Sequence, residues 1–215
     1  MAKRRKAQAD PYAAFINIPY DAPYEPLFLA LIAGLAGFGL IPQAVLQIPG
    51  SERRLERLFG LIGDCRYSFH DLSRVDLDTK RPRTPRFNMP FELGLAVASA
   101  LHKDRRHKWY VLEAKNHRIT KSLRDLDGTQ VYIHDNTPTG VLRQLTNALA
   151  RSACQPTVQQ LKAVWRDVRK AAAQIKRDHA TNDLYDTRPF LDLVYAASRS
   201  AGKRIARYAG RPARR

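Results

Sequence analysis

Short apolar segments and longer amphipathic segments alternate along the first 150 residues of the chain. Five short apolar runs, each bounded by polar or turn residues, predict β-strands. They are expected over 13–20, 40–48, 66–73, 108–114 and 129–135. The intervening and following segments have helical features, such as Glu25 and Pro26 near the start of the first one. Helices are expected over 24–39, 50–65, 85–102 and 137–153.

This alternation predicts an α/β fold. Strands joined by helices are typical of a parallel sheet that is covered on both faces, and right-handed crossovers leave few topologies. We expect a flavodoxin-like (Rossmannoid) five-stranded parallel sheet in the order 2-1-3-4-5. Pro42 favours an edge position for the second strand. In the following helix, four apolar side chains fall on one amphipathic face: Leu55, Leu58, Phe59 and Ile62.

Beyond Cys154 the pattern changes to two amphipathic helices. Apolar residues recur at helical spacing in the first of them, at Val158, Leu161, Val164, Trp165, Val168 and Ile175. The opposite face is basic. We therefore expect an α/β domain over 13–153 and a basic helical appendage over 156–209, which packs on the sheet domain or on a partner.

The positive charge of the chain is concentrated in its C-terminal part. The chain has 37 Lys and Arg and 20 Asp and Glu, for a formal net charge of +17. Residues 151–215 hold 15 of these basic residues and 5 of the acidic ones. Such a segment is attracted to polyanions, so nucleic acid is a candidate partner for 151–215. A solvated, solubilising surface is the alternative.

No membrane, metal or disulfide signal stands out in the sequence. No apolar run reaches the roughly 18–20 residues that would cross a bilayer. Cys65 and Cys154 are far apart and match no metal or redox spacing. A reducing, cytoplasmic setting fits these features best, and no membrane partner and no metal site are expected.

Glu92 is an isolated acid in the apolar helix predicted over 85–102. A carboxylate that is buried without a partner is costly, so a polar exception in a buried run is informative. Complementing the helix dipole from the first turn is the structural alternative. Asn88 is the expected helix cap and a possible ligand contact. A reciprocal capping box fits poorly, because the third helical residue after Asn88 is Phe91.

Polar residues also follow the first and third predicted strands. In the order 2-1-3-4-5 these strand ends flank the crevice where ligands of such folds bind. Tyr20 and Asp21 follow the first strand, and Asp71 and Ser73 follow the third. Either acid could accept hydrogen bonds from ribose hydroxyls, or serve only as a turn or cap residue. Arginines of the next loop, such as Arg86, could bind a phosphate group of a ligand. The alternative is that they belong to a solvated loop without a ligand.

The segment "FNMPFELGLA", at the start of the helix after the third strand, resembles the corresponding segment of the nucleoside 2-deoxyribosyltransferase-like and TIR-like superfamily. The segments "FINIPYD", "CRYSFHDLS" and "SLRDLDGTQVYIHD" are similar to a bacterial branch of that superfamily. The resemblance covers about residues 13–150. The transferases usually have a Gly-Thr pair and a second acid before the glutamate, where this chain reads "PRFNMP". This departure disfavours a transferase and leaves glycoside-bond hydrolysis or binding open.

The resemblance implies that residues 13–153 form a TIR-like or deoxyribosyltransferase-like domain in which Glu92 acts on the anomeric carbon of a ribosyl group. The expected function is nucleotide binding with cleavage of an N-glycosidic bond, with Glu92 as the catalytic residue. NAD, a nucleotide or a nucleoside would be a substrate, and no cofactor is implied. The alternative is a nucleotide sensor without catalysis, or a module that forms a homo-oligomer.

Overall fold

The structure is a computed structural model that describes residues 9–48, 53–75, 81, 84–101, 107–116, 118–126 and 128–205. Its strands are β1 Asp10–Asn17, β2 Ile41–Gln43, β3 Cys65–Asp71, β4 Lys108–Glu113 and β5 Val131–Ile133. Its first five helices are α1 Glu25–Gly37, α2 Arg54–Asp64, α3 Asn88–Leu101, α4 Arg118–Ser122 and α5 Pro138–Ala148. Two longer helices follow, α6 Val158–Asp178 and α7 Thr187–Arg204.

The five strands form one parallel sheet in the order β2-β1-β3-β4-β5, which confirms the predicted α/β flavodoxin-like fold. The short strand β2, which contains Pro42, lies at an edge as expected. Asn17 at the end of β1 is in register with His70 of β3. The carboxyl ends of these strands therefore meet at one edge of the sheet, where their loops can share a site.

Helix α1 is apolar on every side, and eleven of its thirteen residues are buried. One side packs on the sheet, and the others pack on α5, α6 and α7. The helix ends in a Schellman motif: Leu40 N–H donates to the Leu35 carbonyl and Gly39 N–H to the Ala36 carbonyl. Gly39 has φ of +78°, which suits glycine. No helix in the described ranges is long and apolar enough to span a membrane.

Helices α2 and α3 cover the opposite face of the sheet. Alternation along β1 directs Ala14 and Ile16 toward α1, whereas Ala13 and Phe15 belong to the core beneath α2 and α3. The predicted apolar face of α2 is only half buried. Leu58 and Ile62 are in the core, but the side chains of Leu55 and Phe59 are exposed to 54% and 42%. The four residues share one face as predicted, but only Leu58 and Ile62 of that face pack on the sheet.

Helices α6 and α7 pack against each other and against α1. Of the apolar side chains of α6 predicted from the sequence, Leu161, Val164, Val168 and Ile175 are buried in the same core as α1. Trp165 packs against that core, and Val158 is half-buried outside it. Phe190 of α7 stacks on Phe28 of α1, with ring centroids 6.3 Å apart. The division into an α/β domain over 13–153 and a helical appendage over 156–209 stays a prediction. In the structure, α6 and α7 cover the sides of α1 that the sheet and α5 leave open.

Gly140 in α5 provides a test of this packing. A Cβ at this position would lie 2.0 Å from the His134 carbonyl oxygen and 2.8 Å from Thr137 Oγ1. Thr137 caps α5 by accepting a hydrogen bond from the Gly140 N–H, so neither neighbour can move freely. We expect Gly140→Ala to lower the free energy of unfolding by about 1–3 kcal/mol, as measured by urea titration.

Gly60→Ala is the matched control. Gly60 lies in α2, and a Cβ there would meet no atom within 4 Å. Removing a helical glycine should then raise the free energy of unfolding by about 0.5–1 kcal/mol. Changes of the same sign in the two variants would contradict the described packing of α5.

Candidate functional site

A pocket of about 560 Å³ opens at the carboxyl ends of β1 and β2. Its walls come from the loops after these strands, from the first two turns of α2 and α3, and from the connection between α6 and α7. Its lining residues are Tyr20, Val45, Leu46, Ile48, Arg54, Leu55, Leu58, Asn88, Phe91, Glu92, Tyr185, Asp186 and Thr187. A volume of this size is typical of small-molecule sites.

Glu92 projects from α3 into the wall of this pocket. The Phe91 N–H donates to the Phe87 carbonyl, so Phe87 occupies the N-cap position and Asn88 begins the helix. The prediction that Asn88 caps α3 is therefore wrong. Glu92 is the fifth residue of the helix and lies beyond its first turn. This position weakens the explanation by the helix dipole, which acts within the first turn.

Glu92 is a buried residue, but its carboxylate oxygens are not among the fully buried polar atoms of the described residues and so stay open to the pocket. The residue is 7% exposed, and within the described part of the chain it makes no hydrogen bond through its side chain and no ion pair. Burial raises the pKa of Glu92 from 4.5 to about 7, although the charge of Arg54 acts to lower it. A carboxyl group tuned in this way can be ionised or protonated near neutral pH, as acid–base and nucleophilic groups often are.

A buried chain of hydrogen bonds holds α3 on the sheet. The Asn17 amide donates both to the Met89 carbonyl, at 2.8 Å, and to His70 Nδ1, at 3.1 Å. His70 Nε2 then donates to Ser68 Oγ, which also lies 2.8 Å from His107 Nε2. Because His70 Nδ1 accepts from the Asn17 amide, the His70 ring is neutral. Burial, with the charge of His107, lowers the pKa of His70 to about 3, which agrees with a neutral ring.

Aromatic side chains form one side of the pocket. The rings of Tyr20 and Tyr185 meet edge to face, with centroids 5.6 Å apart. The Tyr185 hydroxyl donates to the Asp21 carbonyl at 2.9 Å, which fixes the α6–α7 connection against the loop after β1. The Tyr20 hydroxyl is buried near the Val45 backbone but makes no hydrogen bond of normal geometry. Phe91 is half exposed at the rim.

Three of the four remaining polar lining residues carry a charge or an amide group. Arg54 is the first residue of α2 and is exposed, as is Asn88 at the start of α3. Asp186 occupies the N-cap position of α7, where its side chain makes no capping hydrogen bond. The pocket thus combines a buried acid with a cation, an amide and a second acid at its mouth.

Asp71 lies outside this pocket, in an interior cluster on the α1 side of the sheet. The Tyr24 hydroxyl donates to Asp71 Oδ2, and the Ser73 N–H donates to Oδ1 at 2.9 Å. His134 Nε2 lies 3.1 Å from Oδ2, close enough for attraction but not aligned for a hydrogen bond. Burial alone would raise the pKa of Asp71, but His134 and the bonds from Ser73 and Tyr24 lower it overall. Ser73 Oγ is buried without a hydrogen-bond partner.

Asp21 is likewise engaged elsewhere. Its carboxylate accepts a hydrogen bond from the Tyr24 N–H and so caps the short 3₁₀ turn over Ala22–Tyr24. The Arg86 guanidinium lies 3.0 Å from Asp21 Oδ2, and Arg74 lies 3.5 Å from the same oxygen. These ion pairs bridge the loops after β1 and β3, where the sequence predicted the ligand crevice. The pocket itself lies on the β2 side of that crevice.

The structure therefore brings together three of the residues predicted for the site: Glu92, Tyr20 and Asn88. Asp21, Asp71, Ser73 and Arg86 do not line the pocket, and a role for them with a ligand stays a prediction. Sequence reasoning missed Arg54, Tyr185 and Asp186. Tyr185 lies more than 160 positions from Asp21, which its hydroxyl contacts, so no local pattern could place it here.

The raised pKa of Glu92 predicts a pH-dependent effect of Glu92→Gln on stability. Between pH 4.5 and about 7 the folded protein binds more protons at this residue than the unfolded chain, so its contribution to stability falls as pH rises. The shift corresponds to roughly 3 kcal/mol. Relative to wild type, Glu92→Gln should gain about that much free energy of unfolding between pH 4 and pH 8, measured by urea titration at each pH.

Glu56→Gln serves as the control for removing one negative charge from a basic protein. Glu56 lies in the first turn of α2 and is exposed. Subtracting its effect isolates the contribution of burial at Glu92. A difference between wild type and Glu92→Gln that stays constant across this pH range would show that Glu92 is not buried as described.

Comparisons of the chain with protein-family models, with curated proteins and with solved structures found no match. The resemblance in the sequence to the TIR-like and deoxyribosyltransferase-like superfamily therefore stays a prediction. Within the described residues, the Glu92 pocket combines an acid that has no ion-pair partner with a cavity of about 560 Å³.

Proposed function

We propose that the Glu92 pocket binds a nucleotide and that Glu92 promotes cleavage of its N-glycosidic bond. One observation carries the proposal: Glu92 is buried in a pocket wall and makes no hydrogen bond or ion pair with any described residue. A buried acid that only stabilised the fold would be paired, because leaving it unpaired costs free energy. Such an exception is expected where a ligand supplies the missing partner.

The chemistry requires negative charge close to the anomeric carbon. When an N-glycosidic bond breaks, its electron pair leaves with the base nitrogen and positive charge develops on the ribose ring. The Glu92 carboxylate would stabilise that charge or form a transient bond to the anomeric carbon, and water would then add there and release a proton. If the leaving group is the pyridinium ring of NAD, nicotinamide departs neutral and no general acid is needed.

The other lining residues suit the remaining parts of a nucleotide. Tyr20, Tyr185 and Phe91 offer aromatic surface on which a base can stack. Arg54 at the mouth can contact a phosphate, and Asn88 and Asp186 can bind ribose hydroxyls. NAD or another nucleotide enters this scheme as a substrate, and no metal or resident cofactor is invoked.

We place this activity in a reducing, cytoplasmic setting, as the cysteine pattern predicts. As an alternative to catalysis, we propose that copies of the chain associate into a homo-oligomer. This association is supported by exposed apolar side chains beside the pocket, at Leu55 and Phe59 of α2 and at Phe87 and Phe91 near the start of α3. Activity should therefore be measured over a range of protein concentrations.

The test is nicotinamide release from NAD by wild type and Glu92→Gln, followed by chromatography. The wild type should release nicotinamide, and Glu92→Gln should reduce kcat by about 10²-fold or more, because it removes charge that acts mainly in the transition state. KM should change little, since glutamine has the same shape. Glu56→Gln, an exposed change of the same type in α2, should retain full activity.

Two outcomes would overturn parts of this proposal. Activity retained by Glu92→Gln would remove Glu92 from the mechanism. Thermal stabilisation of the wild type by nucleotides, without turnover of NAD or any nucleoside at any protein concentration, would support a sensor instead of an enzyme.

The pH profile gives a second test. Only the ionised carboxylate can stabilise the developing charge, and burial raises the pKa of Glu92 to about 7. We expect kcat/KM to rise with pH through about 7 and then level off. A profile that is flat from pH 5 to 8, or one that falls as pH rises, would contradict a role for ionised Glu92.

A further inference from the structure

Helix α6 presents a continuous basic face to solvent. Its apolar side packs against α1 and α7, with Leu161, Val164 and Val168 fully buried, so the opposite side is the outer surface. Five cationic residues lie on that side within an arc of about 100°, given 3.6 residues per turn. We call them the α6 basic face: Lys162, Arg166, Arg169, Lys170 and Arg177. They extend over about 22 Å of helix.

The charge of the α6 basic face is not neutralised by nearby acids. Its arc contains no Asp or Glu. Of the two acids in α6, Asp167 is held by Arg204, at 2.6 and 2.8 Å, and by the Ser200 hydroxyl. Asp178 accepts a hydrogen bond from Gln174. Within the described ranges, Arg166 and Lys170 form no ion pair, although the Lys170 charge contributes to the lowered pKa of Asp167. Both cations are exposed and can contact an external anion.

We propose that the α6 basic face binds the phosphate backbone of double-stranded nucleic acid. A straight row of cations matches a linear polyanion, and neutralising several phosphates releases counterions. This proposal is independent of the activity proposed for the Glu92 pocket.

The composition of the face distinguishes between the possible polyanions. The only apolar side chain within the arc is Ala173, whereas helices that lie in a membrane interface insert an apolar face. The apolar face of α6 is already used in the core. Single strands are usually bound by exposed aromatic rings on which bases stack. The one aromatic residue of α6, Trp165, is half-buried beneath Arg169, whose guanidinium lies 5.2 Å from the ring centroid.

The experiment measures binding of a fluorescent DNA duplex of about 20 base pairs by anisotropy, between about 50 and 200 mM salt. The full-length chain is compared with the triple variant Arg166→Gln, Arg169→Gln and Lys170→Gln. Glutamine keeps a high helix propensity, so the fold should be retained. Loss of three phosphate contacts should weaken binding at least about tenfold at low salt and make the slope of log K against log [salt] shallower by about 2–3.

The matched control is the triple variant Lys115→Gln, Lys121→Gln and Arg124→Gln. It removes the same charge from exposed positions in and around α4, on the other side of the sheet. Affinity and salt slope close to those of the wild type are expected. An equal loss in both triple variants would show that only net charge matters and would overturn the proposal. The proposal would also be overturned if the wild type did not bind the duplex at low salt or bound single strands more tightly than the duplex. A third contrary result would be an α6 triple variant that loses binding to phosphatidylserine vesicles but keeps its binding to the duplex.

Discussion

Helix α1 is apolar around its whole circumference, and the need to bury all of its sides constrains the rest of the structure. Eleven of its residues are buried, so the sheet can cover one side only and other helices must cover the remainder. Helices α5, α6 and α7 provide that cover, and Phe28 of α1 packs against both Phe190 and Tyr185. Docking α6 and α7 in this way also carries Tyr185 and Asp186 to the mouth of the Glu92 pocket. The burial of the apolar surface of α1 therefore also determines which residues form this wall of the candidate site.

The buried groups that hold the sheet and α3 together are hydrogen-bonded, whereas the Glu92 side chain makes no hydrogen bond to a described residue. Asn17, His70, Ser68 and His107 form a chain of hydrogen bonds, and Asp71 is held by Tyr24 and Ser73. Glu92 is also buried, yet its carboxylate has only the more distant charge of Arg54 to favour ionisation. Because Asn17 binds the Met89 carbonyl, the helix that carries Glu92 is fixed on the sheet. The acid is thus held in a defined position without being neutralised, which suits a group that acts on a ligand.

The sequence predicted the fold and three of the residues that line the pocket, Glu92, Tyr20 and Asn88, but not Arg54, Tyr185 or Asp186. Alternating apolar segments and Pro42 led to the strand order and to the edge position of β2. Glu92 stood out because it interrupts an apolar helix. The expectation that ligands bind at the carboxyl ends of the strands placed Asp71 at the edge of the sheet where the pocket opens. It could not show that Asp71 points toward α1 while His70, its neighbour in sequence, points toward α3. Arg54 and Tyr185 reach the pocket through tertiary packing, for which no local pattern gives a signal.

The most direct test is a crystal structure of Glu92→Gln soaked with NAD, a variant that should bind the substrate without consuming it. The account predicts that the ribose anomeric carbon lies within about 3.5 Å of the residue 92 side chain, as expected for a reactive arrangement. The base should lie against the rings of Tyr20 and Tyr185. A nucleotide bound instead between the loops after β1 and β3, over Asp21 and Arg86, would contradict it.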